Sequence, residues 1–150
     1  MKEKLVPYLV CPDCKQSLSL SIVEADGQEI ERGELLCPSC SKSYPIVRGI
    51  PRFVSTDAYV KNFSFQWNTH RTTQVDSIAG HSESCKTFQT KTGLTDSELK
   101  DKLVLDVGVG TGRFMEVANS LGAEVIGIDL SYAVDAAYMN MGRRVGIHVV

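Results

Sequence analysis

The sequence predicts an α/β protein in which a small N-terminal unit precedes the first strands of a parallel sheet. Two observations support this fold class. Near the N-terminus, two Cys-x-x-Cys pairs flank a stretch in which apolar and polar residues alternate. In the last third, an apolar run, a glycine-rich turn, a helical periodicity and a second apolar run follow one another, which is the order of a β-α-β unit.

The two cysteine pairs predict a metal site that folds the N-terminal unit. They lie at Cys11 and Cys14, and at Cys37 and Cys40. Each pair forms a tight turn that points two thiolates at one ion, and two such turns complete a tetrahedral four-cysteine zinc site. Two disulfides are the alternative, which we disfavour because no signal peptide precedes the cysteines and a reducing cytosol is expected. We therefore expect structural zinc, with no coordination position left for catalysis.

The segment between the pairs predicts an antiparallel hairpin. Leu18, Leu20 and Ile22 alternate with serines. An Asp26-Gly27 turn then lets residues 29 to 36 return beside the first strand. This is the outline of a zinc ribbon. A unit of this size buries little apolar surface, so the ion supplies folding free energy, on the order of 10 kcal/mol in comparable peptides.

The cysteine turns and the sequence after them resemble a family of small zinc-binding proteins. Residues 41 to 54 read Ser-Lys-Ser-Tyr-Pro-Ile-Val-Arg-Gly-Ile-Pro-Arg-Phe-Val. With the cysteines, this segment is similar to the zinc-binding proteins that activate tRNA and ribosomal methyltransferases, and to related ribbons that precede bacterial methyltransferase domains. The resemblance spans residues 5 to 54. It implies that Tyr44-Pro45-Ile46 is a strand and that Gly49-Ile50-Pro51 leads the chain out of the ribbon.

The glycine-rich turn of the last third predicts a site for a nucleoside-bearing cofactor. The run Val-Leu-Asp-Val-Gly-Val-Gly-Thr-Gly occupies residues 104 to 112. Alternate glycines let the backbone turn tightly and approach a ligand. A second apolar run ends at Asp129, whose carboxylate can accept two ribose hydroxyls. A dinucleotide fingerprint would need a third small residue where Arg113 stands, and no Gly-Lys-Ser or Gly-Lys-Thr of a P-loop follows.

The Asp-x-Gly-x-Gly-x-Gly pattern resembles the first motif of class I S-adenosylmethionine-dependent methyltransferases, and Gly127 with Asp129 resembles the second. The resemblance implies that residues 102 to 150 begin a Rossmann-like methyltransferase core. It implies that Asp129 holds the ribose diol, that Asp106 lies near the methionine end of the cofactor, and that Leu130 lines the adenine site. Hydrogen bonds to amides of the turn are the alternative role for Asp106. The implied cofactor-binding residues are Asp106, Gly108, Gly110, Gly112, Asp129 and Leu130.

The residues on either side of the glycine turn predict one strand and one helix. The apolar strand before the turn is expected to be buried on both faces, as in a parallel sheet. After the turn, Phe114, Val117, Ala118 and Leu121 have helical spacing, and Gly122 is a stop signal. We therefore expect a helix of about ten residues that buries this face against the sheet.

Two further elements complete the predicted half-core. Ser131 is expected to cap a helix that ends near Met141. A third strand is expected to begin near Arg144 and to run to Val150. A complete core of this family has further strands, so we expect a fragment or a truncated gene product. Its incomplete sheet would favour self-association.

The connecting segment, residues 56 to 101, carries more aromatic residues than a linker. Residues 63 to 68 are similar to a segment that helps cover the cofactor in zinc-ribbon methyltransferases. His70 and Arg71 can then approach the methionine carboxylate, or they can remain solvated. The aromatic residues predicted to pack in this segment are Phe63, Phe65, Trp67 and Phe88.

Two other signals lie in this connecting segment. Thr95 and Glu98 form a capping-box pattern, which predicts a short helix before the first parallel strand. Cys85 is unpaired, with no basic neighbour closer than Lys86 and His81, and is expected to be an ordinary thiol.

Composition limits the classes of function. The chain has 150 residues, with 16 Lys and Arg against 18 Asp and Glu. This balance gives no electrostatic indication of a nucleic-acid surface. No apolar run is long enough to span a membrane, and a cytoplasmic location is expected.

These observations predict three parts: a zinc ribbon at 1–55, a helical cofactor-covering segment at 56–101, and the N-terminal half of a methyltransferase domain at 102–150. The predicted function is S-adenosylmethionine-dependent methyl transfer. A small-molecule acceptor is favoured, RNA stays open, and no catalytic residue is assigned. The chain is not expected to catalyse methyl transfer by itself. The alternative is a non-catalytic zinc-binding module that scaffolds or activates another methyltransferase.

Overall fold

The computed structural model describes residues 1–54 and 70–150. The predicted aromatic segment at 63 to 68 lies outside the described residues. The chain divides into two compact units, Met1–Ser55 and Thr56–Val150. The further division at residues 101 and 102 stays a prediction. In the described ranges, no helix has both the length and the hydrophobicity needed to cross a membrane.

The first unit is a four-stranded antiparallel sheet whose strands lie in chain order. The predicted hairpin is present, and Gly27 forms its turn at a φ of 60°, a conformation that glycine adopts without strain. A 3-10 helix, Glu3–Tyr8, precedes the sheet. The strands are β1 (Ser19–Asp26), β2 (Glu29–Leu36), β3 (Ser43–Val47) and β4 (Ile50–Pro51).

The alternation predicted along β1 fails at its far end. Leu18 is buried just before the strand, whereas Ile22 is 49% exposed. The pairing of β1 with β2 slips between Ile22 and Glu24. An irregularity of this kind bends an edge strand and changes the direction of its side chains. The core of the first unit is therefore formed mainly by residues outside β1: Leu5, Ile30, Leu35, Tyr44, Ile46 and Ile50.

Among the described residues of the second unit, three helices precede the parallel strands. Phe88 is buried, and its ring lies 6.1 Å from that of Phe114. The predicted capping box is confirmed, because the Thr95 N–H donates to Glu98 at 2.9 Å and the reciprocal bond is also present. The helices are α1 (Asp76–Ala79), α2 (Glu83–Thr92) and α3 (Asp96–Leu99).

The predicted parallel sheet of three strands is confirmed. Its spatial order is the chain order, and both strand pairs are parallel. The strands are β5 (Leu103–Val107), β6 (Glu124–Ile128) and β7 (Ile147–Val149). The connecting helices are α4 (Arg113–Ser120) and α5 (Ala133–Ala137), the second extended by a π-helical turn at Tyr138–Gly142.

The expectation that the first parallel strand is buried on both faces is wrong. Leu103, Leu105 and Val107 are exposed, and Val107 is 71% exposed. Within the described chain β5 pairs only with β6, so it forms an edge of the sheet. Strand β5 therefore carries apolar side chains that this structure leaves exposed.

Helix α4 buries a different set of residues from the predicted face. Met115, Val117 and Ala118 are buried, whereas Phe114 and Leu121 are only half-buried. Helix α4 contacts β6 at Gly127, where an added Cβ would lie 2.2 Å from the Met115 methyl group. The stop after the helix is confirmed, because Gly122 follows it at a φ of 91°.

The last helix and strand begin later than predicted. The N-cap of α5 is Tyr132, one residue after the predicted cap. The Ser131 hydroxyl nevertheless accepts the Ala133 N–H at 3.1 Å, as a capping side chain does, and donates to Asp129. Strand β7 begins at Ile147 and not near Arg144. Gly146 immediately before it has a φ of 74°, which is incompatible with an extended strand.

Candidate functional site

Two similar turns place the four cysteines of the first unit. In the first turn, the Cys11 N–H donates to the Gln16 carbonyl, and the Lys15 N–H donates to the Cys11 carbonyl. The second turn repeats both hydrogen bonds from Cys37, at the same spacing. The repeated Cys-Pro-x-Cys sequence therefore gives one local conformation twice.

The four sulfur atoms converge on one point. They all lie within 4.8 Å of one another. The Cys11 and Cys40 Sγ atoms are 3.6 Å apart, and those of Cys14 and Cys37 are 3.4 Å apart. Tetrahedral ligands about 2.3 Å from zinc lie about 3.8 Å from one another, so the cluster is compatible with structural zinc. All five cysteines are described and free, which does not support the two-disulfide alternative.

Tyr44 and Asp13 lie against the cysteine cluster. The Tyr44 hydroxyl is 3.2 Å from the Cys11 Sγ atom and 2.8 Å from Asp13 Oδ2. The contact with Tyr44 lowers the pKa of Cys11 to about 6, whereas the pKa of Cys40 is raised to about 12, because the hydrogen bond from the Lys42 amide is outweighed by burial and the neighbouring thiols. Sequence reasoning identified Tyr44 only as a strand residue, because its contact with the cluster depends on the fold of the sheet.

The glycine-rich turn of the second unit follows β5 and meets the end of β6. Gly108, Gly110 and Gly112 all have positive φ values, of 78°, 54° and 89°. The Gly110 N–H donates to Asp129 Oδ2 at 3.1 Å. The structure thus brings together the turn and the carboxylate that the sequence singled out, which lie 19 residues apart.

Asp129 is already engaged in hydrogen bonds. Its Oδ1 atom accepts the N–H and the hydroxyl of Ser131, both at 2.8 Å. Because a carboxylate oxygen has two acceptor positions, the bond from Gly110 leaves one on Oδ2 for a hydroxyl donor. The neighbouring Leu130 side chain is 75% exposed beside this carboxylate.

Asp106 lies half-buried near the end of β5. Its Oδ2 atom is buried and accepts no hydrogen bond within the described chain, and the same holds for the Thr111 hydroxyl. Burial raises the pKa of Asp106 and the charge of Asp129 adds to the increase, while the Met115 N–H opposes it. That amide belongs to α4, so the alternative of bonding to amides of the turn does not describe this contact. Unsatisfied buried polar atoms beside a glycine turn suit a polar ligand.

Asn140 forms hydrogen bonds with both Arg71 and the glycine turn. Arg71 Nη1 donates to Asn140 Oδ1 at 3.1 Å, and Asn140 Nδ2 donates to the carbonyls of Arg71 and Thr111 at 2.8 and 3.0 Å. His70 is exposed. Sequence reasoning missed Asn140, because it lies in a π-helical turn of five residues, which is too short to show a periodic pattern of apolar residues.

The N-terminal unit is similar to known protein sequences. The model of the Trm112p-like protein family matches residues 2–49. The chain is also 35% identical over 63 residues to a UPF0434 protein of Blochmanniella pennsylvanica, which covers 42% of this chain and 96% of that protein.

Two solved structures are similar to parts of the chain. One is a chain from the complex between the Haloferax volcanii Trm112 methyltransferase activator and a candidate methyltransferase. It is 40% identical to this chain, and the match covers 37% of this chain and 93% of that chain, with a TM-score of 0.35. The other is a candidate RNA methyltransferase of Pyrococcus horikoshii, with 21% identity and a TM-score of 0.38. The match covers 63% of this chain and half of the Pyrococcus protein.

These comparisons confirm the resemblance of the N-terminal unit and leave the methyltransferase core a prediction. The methyl acceptor, a small molecule or RNA, stays a prediction. The relative of which this chain covers almost the whole length establishes the family. Through its four-cysteine N-terminal unit, the chain belongs to the Trm112p-like family.

Proposed function

We propose that this chain acts as a non-catalytic zinc-binding module that activates or scaffolds a methyltransferase. The observation that carries the proposal is the convergence of four cysteines in a unit of the Trm112p-like family. Four protein sulfurs leave a zinc ion no position for substrate, so the ion holds a fold together and does no chemistry. The resemblance of residues 5 to 54 to methyltransferase activators supports this role.

The outer strand of the first unit suits a protein partner. Strand β1 pairs only with β2 among the described strands, and the other edge of β1 is unpaired. Ile22 and Val23 are exposed on it, Val23 by 69%. An edge strand with exposed apolar side chains can pair with a strand of another protein. We propose that the partner methyltransferase adds to this edge.

Capture followed by cofactor labelling tests the proposal. The tagged, zinc-loaded chain is mixed with a lysate of its source cells, and the captured fraction is cross-linked by ultraviolet light to tritiated S-adenosylmethionine. We expect label on a separate captured polypeptide. Val23→Lys should abolish its capture, because a charge on an edge strand opposes pairing.

Val54→Lys is the matched control, because Val54 is 52% exposed in the same unit and lies outside the strands. The proposal fails if no labelled partner is captured by a folded, zinc-loaded chain, or if both variants lose capture equally.

A second candidate function is methyl transfer by the chain itself as part of a longer enzyme. The unsatisfied Asp106 Oδ2 atom and Thr111 hydroxyl favour it, because they line a turn that meets Asp129. When bound, S-adenosylmethionine supplies an activated methyl group on a sulfonium. Asp129 would accept one ribose hydroxyl at the free position of Oδ2, the glycine turn would let the backbone approach closely, and the chain would contribute orientation.

Calorimetric titration of S-adenosylhomocysteine into the zinc-loaded chain tests this second candidate, with NAD as the ligand control. Saturable binding that is lost in Asp129→Ala and kept in Glu83→Ala, a change at an exposed position, would support a cofactor site. Tritium label on the chain itself in the cross-linking experiment would also support this second candidate. No binding by a folded chain would leave the activator as the proposed function.

A further inference from the structure

We propose that Tyr44, Asp13 and Lys42 form a clamp that joins the two cysteine turns, and that Tyr44 is a positioning residue that holds Cys11 for zinc. This clamp acts at the metal site alone and is independent of the function that the chain serves.

The position of the Tyr44 hydroxyl is fixed by packing. Tyr44 lies in β3, is only 7% exposed, and packs its ring 5.0 Å from that of Phe53. With the ring held, the hydroxyl lies between the Cys11 Sγ atom and the Asp13 carboxylate, at 3.2 and 2.8 Å. A buried ring that carries one polar atom is a rigid support for that contact.

The clamp links one cysteine turn to the other. Asp13 lies inside the first turn, between Cys11 and Cys14. Lys42 follows the second turn and its carbonyl accepts the Cys37 N–H at 2.8 Å. The Lys42 ammonium lies 3.1 Å from Asp13 Oδ1. This ion pair is exposed and contributes little by itself, so the partly buried bond from Tyr44 is the important contact.

The two turns are unequal at one position. Both read Cys-Pro-x-Cys, but the third residue is Asp13 in the first turn and Ser39 in the second. A carboxylate at this position lets the first turn reach Tyr44 and Lys42. Partners of this kind orient metal ligands, and their loss commonly lowers metal affinity about 10- to 100-fold.

Zinc affinity of the full chain, measured by competition with a chromogenic chelator, tests the clamp. We expect Tyr44→Phe and Asp13→Asn each to weaken zinc binding about 10- to 100-fold. The double variant should lose less than the product of the two effects, because both changes break one network. Tyr8→Phe is the matched control, since it removes the same hydroxyl from an exposed tyrosine of the same unit.

Cobalt substitution separates positioning from a general loss of stability. In the Co²⁺-loaded chain, Tyr44→Phe should shift the sulfur-to-cobalt charge-transfer absorption, because the 3.2 Å contact of the Tyr44 hydroxyl with the Cys11 sulfur is lost, and Tyr8→Phe should not. Wild-type affinity in Tyr44→Phe and Asp13→Asn would overturn the proposal, as would an equal loss in Tyr8→Phe. If Tyr44→Phe fails to fold in excess zinc, Asp13→Asn decides by the same two measurements.

Discussion

Asp106 lowers the stability of the folded chain at a place where a ligand site is expected. Its carboxylate is half-buried and one oxygen lacks a hydrogen bond in the described chain. The sequence singled out this residue because an acidic side chain interrupts an apolar strand. Its unsatisfied oxygen became visible only when the strand, the turn and α4 were in place.

We predict that Asp106→Asn stabilises the second unit at neutral pH. Burial, and then the charge of Asp129, raise the folded-state pKa of Asp106. Between its unfolded value of about 3.9 and the raised value, the folded state binds more protons, so stability falls as pH rises. The melting temperature of the variant should therefore exceed that of the wild type at pH 7, and the gain should vanish near pH 4.

Thermal unfolding followed by circular dichroism across this pH range measures the effect. Asp101→Asn, at an exposed position whose φ of 60° suits asparagine, is the control. An equal gain at every pH would show that the titration of Asp106 is not the cause.

At the level of elements, short-range patterns predicted which segments form helices and strands better than which faces they bury. The spacing of apolar residues identified α4, yet Met115 is fully buried and Leu121 is not. The π-helical turn after α5 and the late start of β7 were both missed. These features depend on contacts with neighbouring elements, which a periodicity cannot report.

We predict that the exposed side of β5 causes self-association. Leu103, Leu105 and Val107 form an exposed apolar row on β5, which pairs only with β6 within the described part of the chain. Such an edge can pair with a strand of another copy. Val107→Lys should reduce concentration-dependent association in sedimentation velocity. Val145→Lys changes a valine that is 89% exposed outside β5, and should leave association unchanged. A wild-type chain that stays monomeric at high concentration would contradict the prediction.

At the level of the whole molecule, the two units have different sources of stability. The first unit holds the four-cysteine cluster, whereas the second has a sheet covered by α4 and α5. The sequence indicated this division through the cysteine pairs and the zinc-ribbon resemblance, which ends at residue 54.

We predict that zinc removal unfolds the first unit and spares the second. A structural zinc ion contributes on the order of 10 kcal/mol to a small domain, which is comparable to the whole stability of such a unit. After chelation, hydrogen exchange should lose protection in residues 19 to 51 and keep it in residues 103 to 149. Added zinc should restore the lost protection. Unchanged protection of the first unit in metal-free protein would refute the prediction.

The sequence by itself predicted the four-cysteine cluster, the hairpin turn and the glycine turn, because each depends on residue types at short spacings. Tertiary structure alone decided that Tyr44 meets Asp13, 31 residues away, and that Arg71 meets Asn140, 69 residues away. It also decided that Gly127 must lack a side chain, since the Met115 and Val109 side chains occupy the space. Such contacts form where separate elements pack together, and no local pattern of residues records which elements will meet.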